Sequence, residues 1–193
     1  INMLLALLLL FQSLFIFIPT RVPGFTTAKR LANPNPYREE LYDVADYLCG
    51  ISKDEGIYTY VATGNNEFCD DAIRNVLLPN VDFPNMVSYI FDIRDGFPRD
   101  FGNIKYFVLS DPIFYMDENY QHMYKIISDA IMYDDITSSN FEKVNEFMLK
   151  DNIKVYVYEQ IREYTDEMKE YFYNKMLEYY PDKSDYYAYI VGE

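Results

Sequence analysis

Tryptophan is absent, histidine occurs once, at His122, and cysteine occurs only at Cys49 and Cys69. Each scarcity removes a class of chemistry. No CxxC pair and no Cys/His cluster can be assembled, which excludes a structural zinc site. A lone imidazole cannot build a metal centre, and no G-x-S-x-G accompanies it, so Ser/His/Asp hydrolysis has no frame. No D-x-D occurs despite 31 acidic residues, which removes the usual motif for metal-bridged nucleotide sugars. Neither a metal nor a cofactor is expected.

Positive charge is also scarce: 17 basic side chains face 31 acidic ones, for a net charge of −14. Residues 1–30 hold Arg21, Lys29 and Arg30 and no acid, which leaves 14 basic against 31 acidic side chains, or −17, for the remainder. Such a body repels phosphate backbones, so nucleic acid is not an expected partner. It is also repelled by anionic headgroups unless it is held to them covalently. Half of the residues are hydrophobic and 18% are aromatic, a composition that packs a core rather than staying disordered. Tyrosine reaches 21 copies, an excess for which the sequence supplies no mechanism.

The one long hydrophobic run lies at the start. Ile1 to Thr20 carries no charge, and only Gln12 and Ser13 interrupt MLLALLLLFQSLFIFIP. About 20 residues at about 1.5 Å each give about 30 Å, the hydrocarbon thickness of a bilayer. The reading is one transmembrane helix over 1–20 in contact with membrane lipid. A cleavable signal peptide fits less well, because no basic n-region precedes the run and no A-x-A succeeds it. The first residue is Ile, so further sequence and further membrane helices are expected upstream. Arg21, Lys29 and Arg30 weakly favour a cytoplasmic location for residues 37–193.

Residues 21–36 are Pro-rich and aperiodic and read as a linker. Residues 37–193 read as one acidic domain. In YREELYDVADYLCGIS, Leu41, Val44, Ala45 and Leu48 recur at helical spacing. Strands are expected at 57–62, 86–93, 104–110, 154–160 and 186–192. Helices are expected over FCDDAIRNVLL, 118–133, 139–149 and 165–180, the last capped by Thr165 or Asp166. Alternating helices and short apolar strands imply an α/β fold, a Rossmann-like three-layer sandwich with a mostly parallel sheet. The final strand could be an antiparallel edge.

In such a sheet, ligands sit beyond the carboxyl ends of the strands. Two loops there supply candidates. ATGNNE offers Gly64, Asn65 and Asn66, but with one glycine and no Walker lysine it is only a faint phosphate loop. Turning the chain and capping the next helix accounts for these residues more simply. Asp111, before Pro112, could be a catalytic carboxylate or a sugar ligand, but Asp-Pro also ends strands and shapes turns. Asp70-Asp71 and Asp134-Asp135 read as solvated helix surface, since helix neighbours point about 100° apart. His122 lies mid-helix among apolar neighbours and reads as packed or surface. Cys49 and Cys69 fall at opposite ends of a strand about 20 Å long and are expected to stay unbridged.

The order of parts carries a resemblance. A membrane helix and Pro-rich linker precede YDVADYL, IYTYVA, YFVLSD and VYVYE. This resembles the C-terminal extracytoplasmic domain of polytopic bacterial glycosyltransferases of the GT-C class, relatives of the dolichyl-phosphate-mannose protein mannosyltransferases, over most of residues 1–160. The resemblance implies sugar transfer from a polyprenyl-phosphate donor at the outer membrane face, with a glycan or lipid-linked sugar as partner. That extracytoplasmic placement conflicts with the side favoured by Arg21, Lys29 and Arg30, and other helices of a polytopic protein can outvote three charges. The family's catalytic acids lie in the first extracytoplasmic loop, outside this sequence, so no residue here inherits a catalytic role. The implied role is accessory. The alternative is a membrane-tethered binding or interaction domain of another cell-envelope protein.

Overall fold

A computed structural model describes residues 35–52, 57–77, 86–87 and 96–192. The expected helix over 1–20, all but the last two residues of the linker over 21–36, and most of the strand over 86–93 lie outside the described residues. Among the described residues, no helix is long and apolar enough to cross a membrane.

The chain enters helix α1 (Arg38–Ile51) through a turn in which Asn35 accepts from the Tyr37 amide at 2.9 Å. Glu39 and Glu40 occupy its first turn, where negative charge suits the helix dipole. Leu41, Val44, Ala45 and Leu48 are its buried stripe. Strand β1 (Tyr58–Val61), helix α2 (Asp70–Leu77) and strand β2 (Met86–Val87) come after it. Next are β3 (Ile104–Asp111), α3 (His122–Met132), β4 (Phe141–Met148), β5 (Lys154–Gln160), α4 (Asp166–Tyr179) and the short α5 (Ser184–Tyr187). Thr165 caps α4 by accepting from the Met168 amide at 3.3 Å.

The five strands are ordered β2-β1-β3-β5-β4. β2, β1 and β3 run parallel, whereas β5 is antiparallel to both β3 and β4. The sheet is therefore mixed, and the expectation of a mostly parallel Rossmann-like sheet is corrected. Two segments account for the difference.

The first is 139–149, where Phe141, Val144 and Phe147 recur every third position as in the expected helix. These residues form β4. A bulge between Lys143 and Asn145 leaves Val144 unmatched in the ladder to β5. The extra residue shifts the side-chain alternation by one. Phe141 consequently meets Phe107 on one face, at 5.3 Å between ring centroids, and Phe147 meets Tyr47 of α1 on the other, at 5.7 Å. Once β4 is a strand, the five residues before β5 are too few for a parallel crossover, which needs a dozen or more. Asp151 and Asn152 turn the hairpin at φ 63° and 59°, a left-handed pair that their short polar side chains tolerate.

The second is 186–192, the expected last strand. It forms α5 and a 3₁₀ turn instead, with Tyr187 and Ile190, three apart, both buried. The Tyr189 hydroxyl hooks this tail to the Phe97 backbone, donating to its carbonyl at 2.8 Å and accepting from its amide at 3.3 Å.

The core lies mainly between the sheet and α3, α4 and α5. Phe101 is its hub, with ring centroids 4.7 Å from Phe172, 5.1 Å from Phe107 and 5.2 Å from Phe97. Such aromatic pairs contribute about 0.5–1.5 kcal/mol each beyond the area they bury. The stretch GFPRDFGN, which reads as a plain loop, thus delivers two core rings. On the opposite sheet face, Ser52 after α1 hydrogen-bonds Thr59 at 3.1 Å, and Lys150 in the β4–β5 turn pairs with Glu40 at 3.5 Å.

Candidate functional site

The carboxyl ends of β1 and β3 lie side by side, because the two strands are parallel and paired through Val61–Val108. This is where a parallel arrangement exposes its loops to a ligand. Here the two loops are stitched to each other. The Gly64 amide donates to the Phe114 carbonyl at 2.9 Å, and Gly64 forms a parallel bridge with Tyr115. The buried Thr63 hydroxyl accepts from Ser110 Oγ at 3.2 Å and from the Phe114 amide at 3.3 Å. It faces the Phe114 carbonyl as donor at 3.5 Å.

Asn65 is engaged in the same local way. Its Oδ1 accepts from the Glu67 and Phe68 amides at 2.8 and 2.7 Å, closing a turn ahead of α2. Asn66 is exposed beside it. The cap of α2 itself is Cys69, whose Sγ accepts from the Ala72 amide at 3.4 Å. Burial pushes the Cys69 thiol upward, with Asp70 and Asp71 adding to the shift, so it is held protonated as a small packing group. Both cysteines are thiols.

Asp70 departs from the expected solvated surface. It is 7% exposed and faces Arg74 across 3.9 Å, while its neighbour Asp71 is exposed. Asp134 lies past the end of α3 and accepts from the Ile136 and Thr137 amides at 2.8 and 3.0 Å, so it shapes a turn. His122 opens α3 and stacks on Tyr179 at 4.1 Å between centroids. Among the described residues, no group of three or more His, Cys, Asp and Glu side chains converges as a metal site.

Asp111 is placed by a different strand pair from the one that holds Gly64, Asn65 and Asn66. It ends β3 on the side facing β5, in register with Lys154, and precedes a cis bond to Pro112. Sequence reasoning missed the residues around it. The β3–β5–β4 register places Asp111, Lys154, Tyr156 and Tyr158 on one face, joined from β4 by Lys143 opposite Tyr158 and Glu146 opposite Tyr156. Tyr156 and Tyr158 are half-buried, with their rings 6.4 Å apart edge to face. The Lys143 Nζ sits 5.3 Å over the Tyr156 ring and 2.8 Å from Glu146. Tyr133, just past α3, is 67% exposed. What burial it has raises its phenol, and the charge on Asp111 adds to the shift.

No protein-family model matches this chain, and no curated protein or solved structure is significantly similar to it.

Proposed function

We propose that this chain belongs to a membrane protein in which residues 1–20 sit in the bilayer and the acidic body is a non-catalytic accessory domain on the extracytoplasmic side. The parent activity in this reading is a glycosyltransferase that uses a polyprenyl-phosphate-linked sugar. The accessory role is carried by the closed seam between β1 and β3. The Gly64 amide and the Thr63 hydroxyl, the groups a ligand would use at those strand ends, are already engaged by Phe114 and Ser110. Membrane attachment is supported by the uncharged run Ile1 to Thr20. The glycosyltransferase part rests on the resemblance of YDVADYL, IYTYVA, YFVLSD and VYVYE in their order along the chain.

The test uses the full chain expressed in membranes. It should stay in the bilayer through alkaline carbonate washing. Reconstituted with a polyprenyl-phosphate sugar and a peptide acceptor, it should transfer no sugar above protein-free vesicles. Release by carbonate would refute the membrane role, and turnover would refute the accessory one.

A further inference from the structure

The α3 face of the sheet is covered unevenly. At β1 and β3 it is sealed: Tyr60, Phe107 and Leu109 are fully buried. At β5 and β4 the same face carries half-buried Tyr156 and Tyr158 and exposed Lys143, Glu146, Met148 and Lys154, with exposed Asp111 at its border. Tyr133 follows the end of α3, the helix packed on this same face, and is exposed. The Tyr156 and Tyr158 rings thus form a platform flanked by a third phenol and edged by two carboxylates and two ammonium groups.

Its charge selects the ligand. The body as a whole is strongly acidic, yet the platform is balanced, with Asp111 and Glu146 against Lys143 and Lys154. The balance is built in, since Glu146 faces Lys143 at 2.8 Å and Lys154 at 4.0 Å. Next to Tyr133, Lys125 is likewise paired with Asp129, at 2.6 Å. An anion gains nothing from cations already paired, and a cation meets lysines. An uncharged, polyhydroxylated ligand gains on both counts. Tyrosine rings offer an apolar body with a polar tip for the C–H faces of a sugar ring. Carboxylates accept hydroxyl protons through several lone pairs.

Size points the same way. From Lys154 to Tyr158 the strand runs about 13 Å, and the three strands β3, β5 and β4 span about 10 Å. That area is far below the roughly 800 Å² per partner of a standard protein interface. A folded partner or a second copy of the chain would be poorly held.

We infer that the Tyr133–Tyr156–Tyr158 platform, bordered by Asp111 and Glu146, is a binding site for a short, uncharged glycan. The inference deepens the accessory-domain reading, on which it rests, by naming the ligand class. The glycan stacks on Tyr158 and Tyr133, beside the Tyr156 ring that Lys143 overlies, its hydroxyls donate hydrogen bonds to Asp111 and Glu146, and the platform makes and breaks no bond.

The test is saturation-transfer NMR on the full chain in a zwitterionic detergent, since a sugar-headed detergent would compete. The probes are mannotriose, maltotriose and chitotriose, with galacturonic acid and glucosamine as charged counterparts. At least one neutral trisaccharide should bind with a Kd on the order of 1 mM. Tyr133→Ala, at an exposed position, should weaken that binding about tenfold, and Asp111→Ala about fivefold. Tyr42→Ala, at an exposed position on α1 away from the platform, should retain it. Circular dichroism checks that each variant is folded. Absence of transfer from all three neutral sugars, tighter binding of a charged probe, or undiminished binding by folded Tyr133→Ala would overturn the site. These failures leave the accessory-domain reading standing. Sugar transfer by the chain would sink that reading and leave the platform intact.

Discussion

Gly64 packs closely against Tyr124 at the seam, and substituting them yields the sharpest stability prediction. A Cβ at position 64 would lie 2.6 Å from Tyr124 Oη and 3.1 Å from its Cε2 and Cζ. Tyr124 is fully buried in the core, so its ring cannot swing aside cheaply. Overpacking of this kind costs about 1–3 kcal/mol, and Gly64→Ala should cost about 2 kcal/mol because the contact meets a rigid ring. The Tyr124 hydroxyl has no hydrogen-bond partner among the described residues. Burial pushes its phenol strongly upward, consistent with an oxygen removed from water. Tyr124→Phe removes the clashing atom and a poorly satisfied polar group together, so it should be neutral or stabilising by about 1 kcal/mol. In the double variant the nearest atoms are ring carbons at 3.1 Å. The alanine penalty should then fall by about half, a coupling of about 1 kcal/mol. Equilibrium denaturant unfolding of the four proteins measures this cycle. In a domain of about 150 residues, Gly64→Ala should also lower Tm by roughly 4–8 °C. A harmless Gly64→Ala would refute the close approach. A loss above about 1 kcal/mol in Tyr124→Phe would show that the hydroxyl has a partner.

Three further outcomes are expected. Deleting Val144 removes the bulge residue while keeping every pairing from Asn145↔Val157 to Met148↔Lys154, so the variant should fold cooperatively and lose only about 1 kcal/mol in a urea titration; failure to fold would refute the bulge assignment. Thr165→Ala removes the α4 cap and should cost about 1 kcal/mol by the same measurement. Burial raises Tyr115, Tyr171 and Tyr180 to about 12, while an unfolded phenol titrates near 10. Because the folded-state values are raised, the stability these groups contribute is present below about pH 10 and lost as pH rises from there toward 12, since the unfolded chain ionises first. Tyrosinate absorbance recorded alongside circular dichroism should show unfolding coupled to ionisation in that window. Independent titration without loss of structure would contradict the burial.

Much of the architecture was legible because single segments carry their own period. Leu41, Val44, Ala45 and Leu48 name one face of α1 whatever it packs against, and Met123, Ile126, Ile127, Ala130 and Ile131 do the same for α3. IYTYVA and IKYFVLS are too apolar and too short to be anything but buried strands. Thr165 before a run of good helix formers marks the start of α4. The turn-forming role of Asn65 was also readable, since it needs only amides two and three residues away.

What the tertiary structure decided depends on partners distant in sequence. β4 hid because its bulge moves Phe147 to the face opposite Phe141, so a strand with apolar residues on both faces has the spacing of a helix. Only pairing with β5 reveals it, although the Asp151-Asn152 turn was a local signal of the hairpin. That hairpin made the sheet mixed. The tail 186–192 has the composition of a strand, but Tyr187 and Ile190 reach the core from helical turns, and Tyr189 is anchored by the Phe97 backbone. The candidate glycan platform is the extreme case. Asp111, Tyr133, Lys143, Glu146, Tyr156 and Tyr158 come from four segments and share a surface only through the β3–β5–β4 register. Periodicity reports which side of its own element a residue faces, and two elements acquire a common side only when their backbones hydrogen-bond in one particular alignment.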